Sequence, residues 1–384
     1  MELGSMLRAA REAAGIGLRE MARRTHFNAS YLSLIETGRR PVTAEVVAAY
    51  ERTLGRDAVV GSEATDEGLA ALEWMQRVAG SDIGGGSLER LESTVDDLAA
   101  AYPTTRPEEL LAQVDQHLGL AARMMEGKKT LTEYRRLMVA VGWMSLLAGT
   151  CQIDLGQPRA AAARLRLARE IADEAGHPEI AAWCLETSAW SHLTAADFPA
   201  AVQLSRAAQA IAPTTSSAFI QATAQEGRAL ARLGDAPGTY NVLRRVARLV
   251  SGLRVPDRPE HHFRYDPAKS DAYVATTLAW IGDPAAETYA RHVLTELADS
   301  ASTRPRRIAT ANIDLGLALV AANKPDEAAH VTLTAVTSGR LVPSNLWRVT
   351  EVVAGIEHRD PPDAAGIRDA IRDLYRRPEP PRAN

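Results

Sequence analysis

Few residues in this chain have the types and spacing that reactive chemistry demands, and those few fail on geometry. Glu260, His261 and His262 are consecutive, so their side chains diverge, and no His-Glu-x-x-His spacing puts two ligands on one helical face. Cys184 and His192 lie about two helical turns apart, too far for a nucleophile to meet its base along one helix. Ser188 sits between them without an evident acid partner. The run Ser81-Asp82-Ile83-Gly84-Gly85-Gly86-Ser87 has the glycines of a phosphate loop. It lacks the preceding strand, the GKS/T ending and the GxGxxG spacing, and reads as a linker. The expectation is a protein that is not an enzyme, with no metal site and no cofactor. What remains is binding chemistry, in the basic stretch Leu18–Arg40 and in a set of tryptophans further on.

Leu18–Arg40 reads as a short helix, a turn at Thr25-His26-Phe27, and a second short helix with a basic exit. Met21 and Ala22 face inward, and Phe27 plugs the core. Asn28 is placed to cap the second helix through its side-chain oxygen. Leu32 and Ile35 share its inward face, and Gly38 supplies the left-handed residue that stops it. Small and polar residues are left pointing outward, with Arg39 and Arg40 just past the end. Two short helices at a steep angle, the second presenting such a face, can enter a DNA major groove.

The elements around this stretch form a compact head. A first helix from about Leu3 to Ala14 carries Met6, Leu7, Ala10 and Ala14 on one face. A fourth, after Pro41 and Val42, uses Val46, Val47, Tyr50 and Leu54. Residues 1–57 carry a net charge of +2 in a chain of net −4, a mildly basic head on an acidic body. That fits DNA binding confined to the head. The chain is 46% hydrophobic and alanine-rich with little β-branched alternation, which predicts all-α structure. The N-terminus is amphipathic rather than a signal peptide. No apolar run looks long enough to cross a membrane, and two cysteines give no disulfide framework, so a cytoplasmic protein is expected. The domain reading is residues 1–57 as the head, 58–86 as a linker with a short helix near 69–78, and 87–129 as a helical connector. A repeat array occupies 130–376, and 377–384 form a disordered tail.

The array is legible as an internal repeat. Gly149, Ala189, Gly227, Ala275 and Gly316 each precede an inter-helix turn by seven residues; the turns read LGQP, AADF, LGDA, IGDP and ANKP. Twelve residues after each anchor come Ala161, Ala201, Thr239, Glu287 and Ala328. Nineteen after come Ala168, Ala208, Val246, Leu294 and Ala335. Small residues facing one another let paired helices approach closely, and pairs that cannot bury a face alone stack on their neighbours. A final pair spans about 344–358 and 363–376. The Pro-rich insertion at 253–270 lengthens one repeat and is expected to project from one end of the stack, where the histidine pair, Phe263 and Tyr265 could gate it.

Residues 3–55, through the stretch LRAAREAAGIGLREMARRTHFNASYLSLIETGRRPVT, resemble the helix-turn-helix domain of the phage-repressor (Cro-like, xenobiotic-response-element) family. The resemblance implies base-edge contacts from Asn28, Ala29, Ser30, Tyr31, Ser33 and Leu34. It implies phosphate contacts from Thr37, Arg39, Arg40 and Thr43, with Arg19 and Arg23 further out. Gly17-Leu18 replaces the family's usual Ser-Gln opening, and no Arg or Gln lies on the recognition face, so readout leans on hydroxyls, thymine methyls and DNA shape. Glu36 reads as structural, pairing with Arg8 or Arg11. Residues 130–376 resemble a tetratricopeptide array, and the combination resembles peptide-sensing bacterial regulators. That implies double-stranded DNA as partner, a homodimer, and a peptide or small-molecule effector on the concave face. The register places Trp143, Trp183, Glu186, Trp190, Gln221 and Arg228 on that face; the tryptophans suit either a ligand wall or inter-repeat filling. The alternative reading is an interaction scaffold with a degenerate DNA-binding head.

Overall fold

The computed structural model describes residues 3–54, 85–258, 260–298 and 304–359, together with 366, 369 and 372. The short helix expected near 69–78, most of the linker, most of the last helix and the tail lie outside these residues. The described elements are α-helices joined by turns and short loops, with two 3-10 turns. The chain divides into two compact units, residues 1–87 with 123–135, and residues 88–122 with 136–384.

The head is built from α1 (Leu3–Ala13), α2 (Leu18–Thr25), α3 (Ala29–Glu36) and α4 (Ala44–Leu54). Leu7, Met21, Leu32, Ile35, Val46 and Tyr50 form its core and are sealed from solvent. Phe27 is half-buried against that core. Ala14, expected on the inward face of the first helix, is exposed, because α1 ends one residue before it. His26 takes the left-handed conformation that stops α2 (φ 59°), and Asn28 Oδ1 accepts from Ser30 N (2.8 Å) to start α3. α1 lies directly on α3: a Cβ on Gly4 would collide with the Ile35 carbonyl.

The helices after the head begin with α5 (Gly85–Ala101) and α6 (Pro107–Glu126). Gly85, Gly86 and Ser87, read from the sequence as linker, belong to the first turn of α5. The array then runs through α7 (Leu131–Asp154), α8 (Pro158–Ala175), α9 (Pro178–Thr194), α10 (Phe198–Ile211), α11 (Ser217–Arg232) and α12 (Ala236–Val250). It continues with α13 (Ser270–Trp280), α14 (Ala285–Ala298), α15 (Pro305–Ala321), α16 (Pro325–Thr337) and α17 (Leu346–Glu357). Each helix packs on its successor from α8 onward, and α9, α11, α13, α15 and α17 also pack on one another in series. That is the packing of a tetratricopeptide-like solenoid. Among the described residues, α7 is the one helix long and apolar enough to cross a membrane by length and composition, contrary to the sequence reading. Its apolarity is explained by the array, inside which 78% of its apolar window is buried.

The anchors do what their size suggests. A Cβ on Gly149 would press into Leu165 at 2.9 Å, and one on Gly316 would meet Thr332 Oγ1 at 2.7 Å, while Ala189 and Ala275 are fully buried. The register slips in the fourth repeat, where Ala286 and Val293 are buried in place of Glu287 and Leu294. The cause is a tighter turn. Asp283 Oδ1 accepts from the backbone two residues on (Ala285 N, 2.9 Å), whereas Asp197 and Asp235 cap three residues on. Glu287 is thereby turned outward to Lys324 (2.7 Å) and Arg291.

Two further contacts shape the array. The insertion does not project. It folds inward: His262 N donates to Ala99 O (3.0 Å), Arg258 pairs with Asp97 (2.7 Å), and Tyr265 N donates to Ser217 Oγ (2.9 Å). The start and end of the array also meet. Buried Asp154, the last residue of α7, accepts from Tyr102 Oη (2.7 Å), Arg306 Nη2 (2.7 Å) and Ser344 Oγ (2.6 Å), and Arg306 Nη1 reaches Tyr102 O (2.8 Å).

The five inter-helix turns carry a left-handed residue at one shared position, seven after each anchor: Gly156, Ala196, Gly234, Gly282 and Asn323. Ala196 holds φ 61° with an exposed Cβ, the conformation that L-residues other than Gly and Asn resist. Ala196→Gly is expected to stabilise the array by about 1 kcal/mol, read as a higher denaturant midpoint at unchanged slope.

Candidate functional site

The head presents one coherent outward face. Its geometry is fixed from inside by Glu36, which accepts two hydrogen bonds from Arg11 (Nε and Nη2, both 2.7 Å) and one from Tyr50 Oη (2.7 Å). Arg11 Nη1 also donates to Ile16 O (2.9 Å), so this buried fork ties α1, α3 and α4 to the loop ahead of α2. The contact with Glu36 raises the Arg11 pKa, and burial together with Glu36 raises that of Tyr50. The partner of Glu36 is Arg11; Arg8 pairs with Glu12 instead (2.9 Å).

Of the residues assigned to base edges, Ser30, Leu34 and Asn28 are exposed, with the Asn28 carboxamide engaged as the cap of α3. Ser33 is half-buried, and Ala29 and Tyr31 are half-buried against the head core. The Tyr31 ring stacks on Phe27 (centroids 5.8 Å apart), and the Arg40 guanidinium lies 5.4 Å from its centroid. Of the residues assigned to phosphates, Thr37, Arg39, Arg40, Thr43 and Arg19 are exposed. Thr37 Oγ1 donates to Ser33 O (2.7 Å). Among the described residues Arg19, Arg39 and Arg40 make no ion pair, while Arg23 is paired with Glu20. Unpaired cations thus gather at both ends of the outward face.

In the array, Trp183, Glu186, Trp190, Gln221 and Arg228 line one cavity of about 270 Å³. Trp143 lies elsewhere, beside a separate depression, with its ring against His177 (5.7 Å) and Phe263 (4.9 Å). The insertion is the reason: Phe263 is buried between Trp143 and Trp183 (5.6 Å), and the tilted His262 ring lies against Tyr102 at 4.1 Å. Trp143 is therefore packed by the chain itself, and Trp183 in part.

Gln221 links the walls, its Nε2 donating to Glu186 Oε1 (3.2 Å) and to Tyr273 Oη (2.8 Å). Burial pushes the Glu186 carboxyl up to about 7 against the opposing pull of Gln221 and Arg228, and lowers the Arg228 guanidinium to about 10. His262 is held neutral by burial. The sequence reading missed Gln225, Tyr273, Arg306, Trp347 and Arg348, which also line the cavity. Gln225 had a signal, since Gln221, Gln225 and Arg228 fall on one face of an otherwise alanine-rich helix. The others reach the cavity from distant repeats.

Residues 2–60 match the family model described as a helix-turn-helix domain. No curated protein matches the chain. Among solved structures, the crystal structure of Bacillus thuringiensis PlcR in complex with the peptide PapR7 and DNA is similar, at 12% identity and a TM-score of 0.35, over 65% of this chain and 94% of that one. The chain carries an N-terminal helix-turn-helix domain ahead of a tetratricopeptide-like array, and the character of that array rests on its own helix packing.

Glu36→Gln leaves Arg11 buried against a neutral partner. It is expected to cost the head about 3 kcal/mol, read as lost hydrogen-exchange protection in α1–α4 with the array unaffected. Glu186 generates a pH effect of definite sign. Its folded pKa of about 7 lies above the ordinary carboxylate value. Array stability should therefore be full below the unfolded value and fall as pH rises through about 7. Glu186→Gln should flatten that fall and stabilise the array at pH 8 by up to about 3 kcal/mol, measured by urea unfolding from pH 5 to 8.

Proposed function

We propose that the protein is a sequence-specific DNA-binding transcriptional regulator of the cytoplasm, whose repeat array senses a ligand and holds two copies together as a homodimer. The observation that carries this reading is the head's outward face. Ser30 and Leu34 are exposed on α3, and among the described residues Arg19, Arg39 and Arg40 are left without ion pairs around them, while Glu36 locks the inward side. A helix presented this way suits the major groove, with the flanking arginines on phosphates. The stacked Phe27–Tyr31–Arg40 series supports a rigid phosphate contact from Arg40.

The sensing role is supported by a cavity with aromatic walls and a few convergent polar groups. Its size, and the insertion that fills the neighbouring groove, favour a small molecule over an extended peptide. Ligand binding would shift the population between array curvatures and so the spacing of two heads, which must match half-sites about 34 Å apart or a multiple of it. No catalysis is proposed. Burial pushes the thiols of Cys151 and Cys184 up to about 12, leaving no thiolate near neutral pH.

The test is binding of the full chain to its own upstream DNA against scrambled DNA over a salt series. Preference for the upstream DNA is expected. Arg39→Ala with Arg40→Ala should weaken both and reduce the slope of log K against log salt by roughly two. Equal binding of the two DNAs at every salt concentration would remove the regulator reading and favour the scaffold.

A further inference from the structure

The charges lining the array cavity do not balance, and the imbalance has a sign. Asp154 is taken by Arg306 (2.7 Å) and Asp314 by Arg348 (2.5 Å). Glu260 is shared by Arg307 (2.9 Å) and Arg304 (3.0 Å), and nearby Asp266 also faces Arg307 (3.2 Å). Two cations are left over, the buried Arg228 and the half-buried Lys269. Among the described residues no carboxylate comes within ion-pair distance of Arg228 or Lys269, although both line the cavity.

Arg228 is only 6% exposed, and its one hydrogen bond among the described residues, to Gln225 Oε1, is long at 3.3 Å. Its Nε has no partner. The guanidinium is held by the rings of Tyr273 and Trp280, each centroid 5.4 Å away; the paired Arg348 and Asp314, and Glu186, lie near it but beyond ion-pair distance. Lys269 lies near Glu260 and Asp266, carboxylates already shared by Arg307 and Arg304, and beside the neutral His262. Burial penalises the charged form of both residues. Glu186, the carboxylate left over, is engaged by Gln221 and takes up a proton near neutrality. Desolvated cations without an ion pair weaken a fold, and the usual compensation is an anion.

Resting on the reading of the array as a sensor, we infer that this cavity is a receptor for a small organic anion. Its acidic group would be held by Arg228 with Lys269 as the second cation, and its flat apolar body would lie against Trp183, Trp190 and Trp347. The aromatic walls supply area, and the unpaired cations supply the discrimination against neutral and cationic analogues.

The test uses the full chain and three matched probes: indole-3-acetate, indole-3-acetamide and tryptamine. Tryptophan fluorescence and thermal melting are the readouts. The acid is expected to quench fluorescence and raise the melting temperature, while the amide and amine do neither. Lys269→Met and Arg228→Met keep the aliphatic stem and remove the charge. Each should melt about 3 °C higher than the parent in buffer alone, because a desolvated cation without an ion pair is gone, and each should bind the acid roughly tenfold or more weakly. Arg228→Lys should retain the preference for the acid.

Amide or amine binding as tightly as the acid overturns the proposal. So does lower melting of both Met variants, which would make these cations structural, and so does failure of the acid to bind the parent chain. DNA binding measured in parallel separates the two readings: anion binding that leaves DNA affinity unchanged removes the regulatory coupling and leaves the anion site standing.

Discussion

One buried carboxylate holds the array in its closed form. Asp154 ends α7, yet its oxygens are satisfied by Tyr102 before the array, Arg306 near its end and Ser344 ahead of its last described helix. The three donors stand far apart in sequence, and only a solenoid curved back on itself can bring them to one point. Such a site contributes by geometry as much as by energy. A buried charge with all its lone pairs satisfied tolerates one arrangement and penalises the rest. Closure turns what would be an open groove into a cavity.

The insertion completes that enclosure. Had residues 253–270 pointed into solvent, the tryptophans of the first repeats would line a long apolar channel open to an extended chain. Instead Phe263 enters between Trp143 and Trp183, and His262 covers Tyr102. The two readings of the tryptophans, ligand wall or internal filling, divide by residue. Trp143 is packed by the protein's own loop, whereas Trp190 remains at the cavity with Glu186, Gln221 and Arg228.

The head obeys the same logic on a smaller scale. Its outward residues are short, and their placement depends on an inward fork in which Arg11 and Tyr50 share Glu36. In both units a satisfied buried carboxylate fixes the frame on which less constrained surface residues are displayed.

The sequence by itself determined what depends on local or periodic chemistry. The Asn28 cap of the head, the exposure of Ser30 and Leu34 on α3, the small anchors of each repeat and the placing of Trp183, Glu186, Trp190, Gln221 and Arg228 together all derive from spacing along single helices; Ala29 and Tyr31, read as outward, pack against the head core, and Trp143 falls outside the cavity. Where local chemistry changed, the reading slipped: the tighter cap at Asp283 moved the fourth repeat by one residue, and the glycines at 85 and 86 joined a helix rather than a linker. Tertiary structure alone decided the inward path of the insertion, the junction at Asp154, and the membership of Tyr273, Arg306, Trp347 and Arg348 in the cavity. These depend on curvature summed over many repeats. Small rotations between neighbouring helices add up to bring residues more than a hundred positions apart into contact, and no periodicity within one helix records that sum.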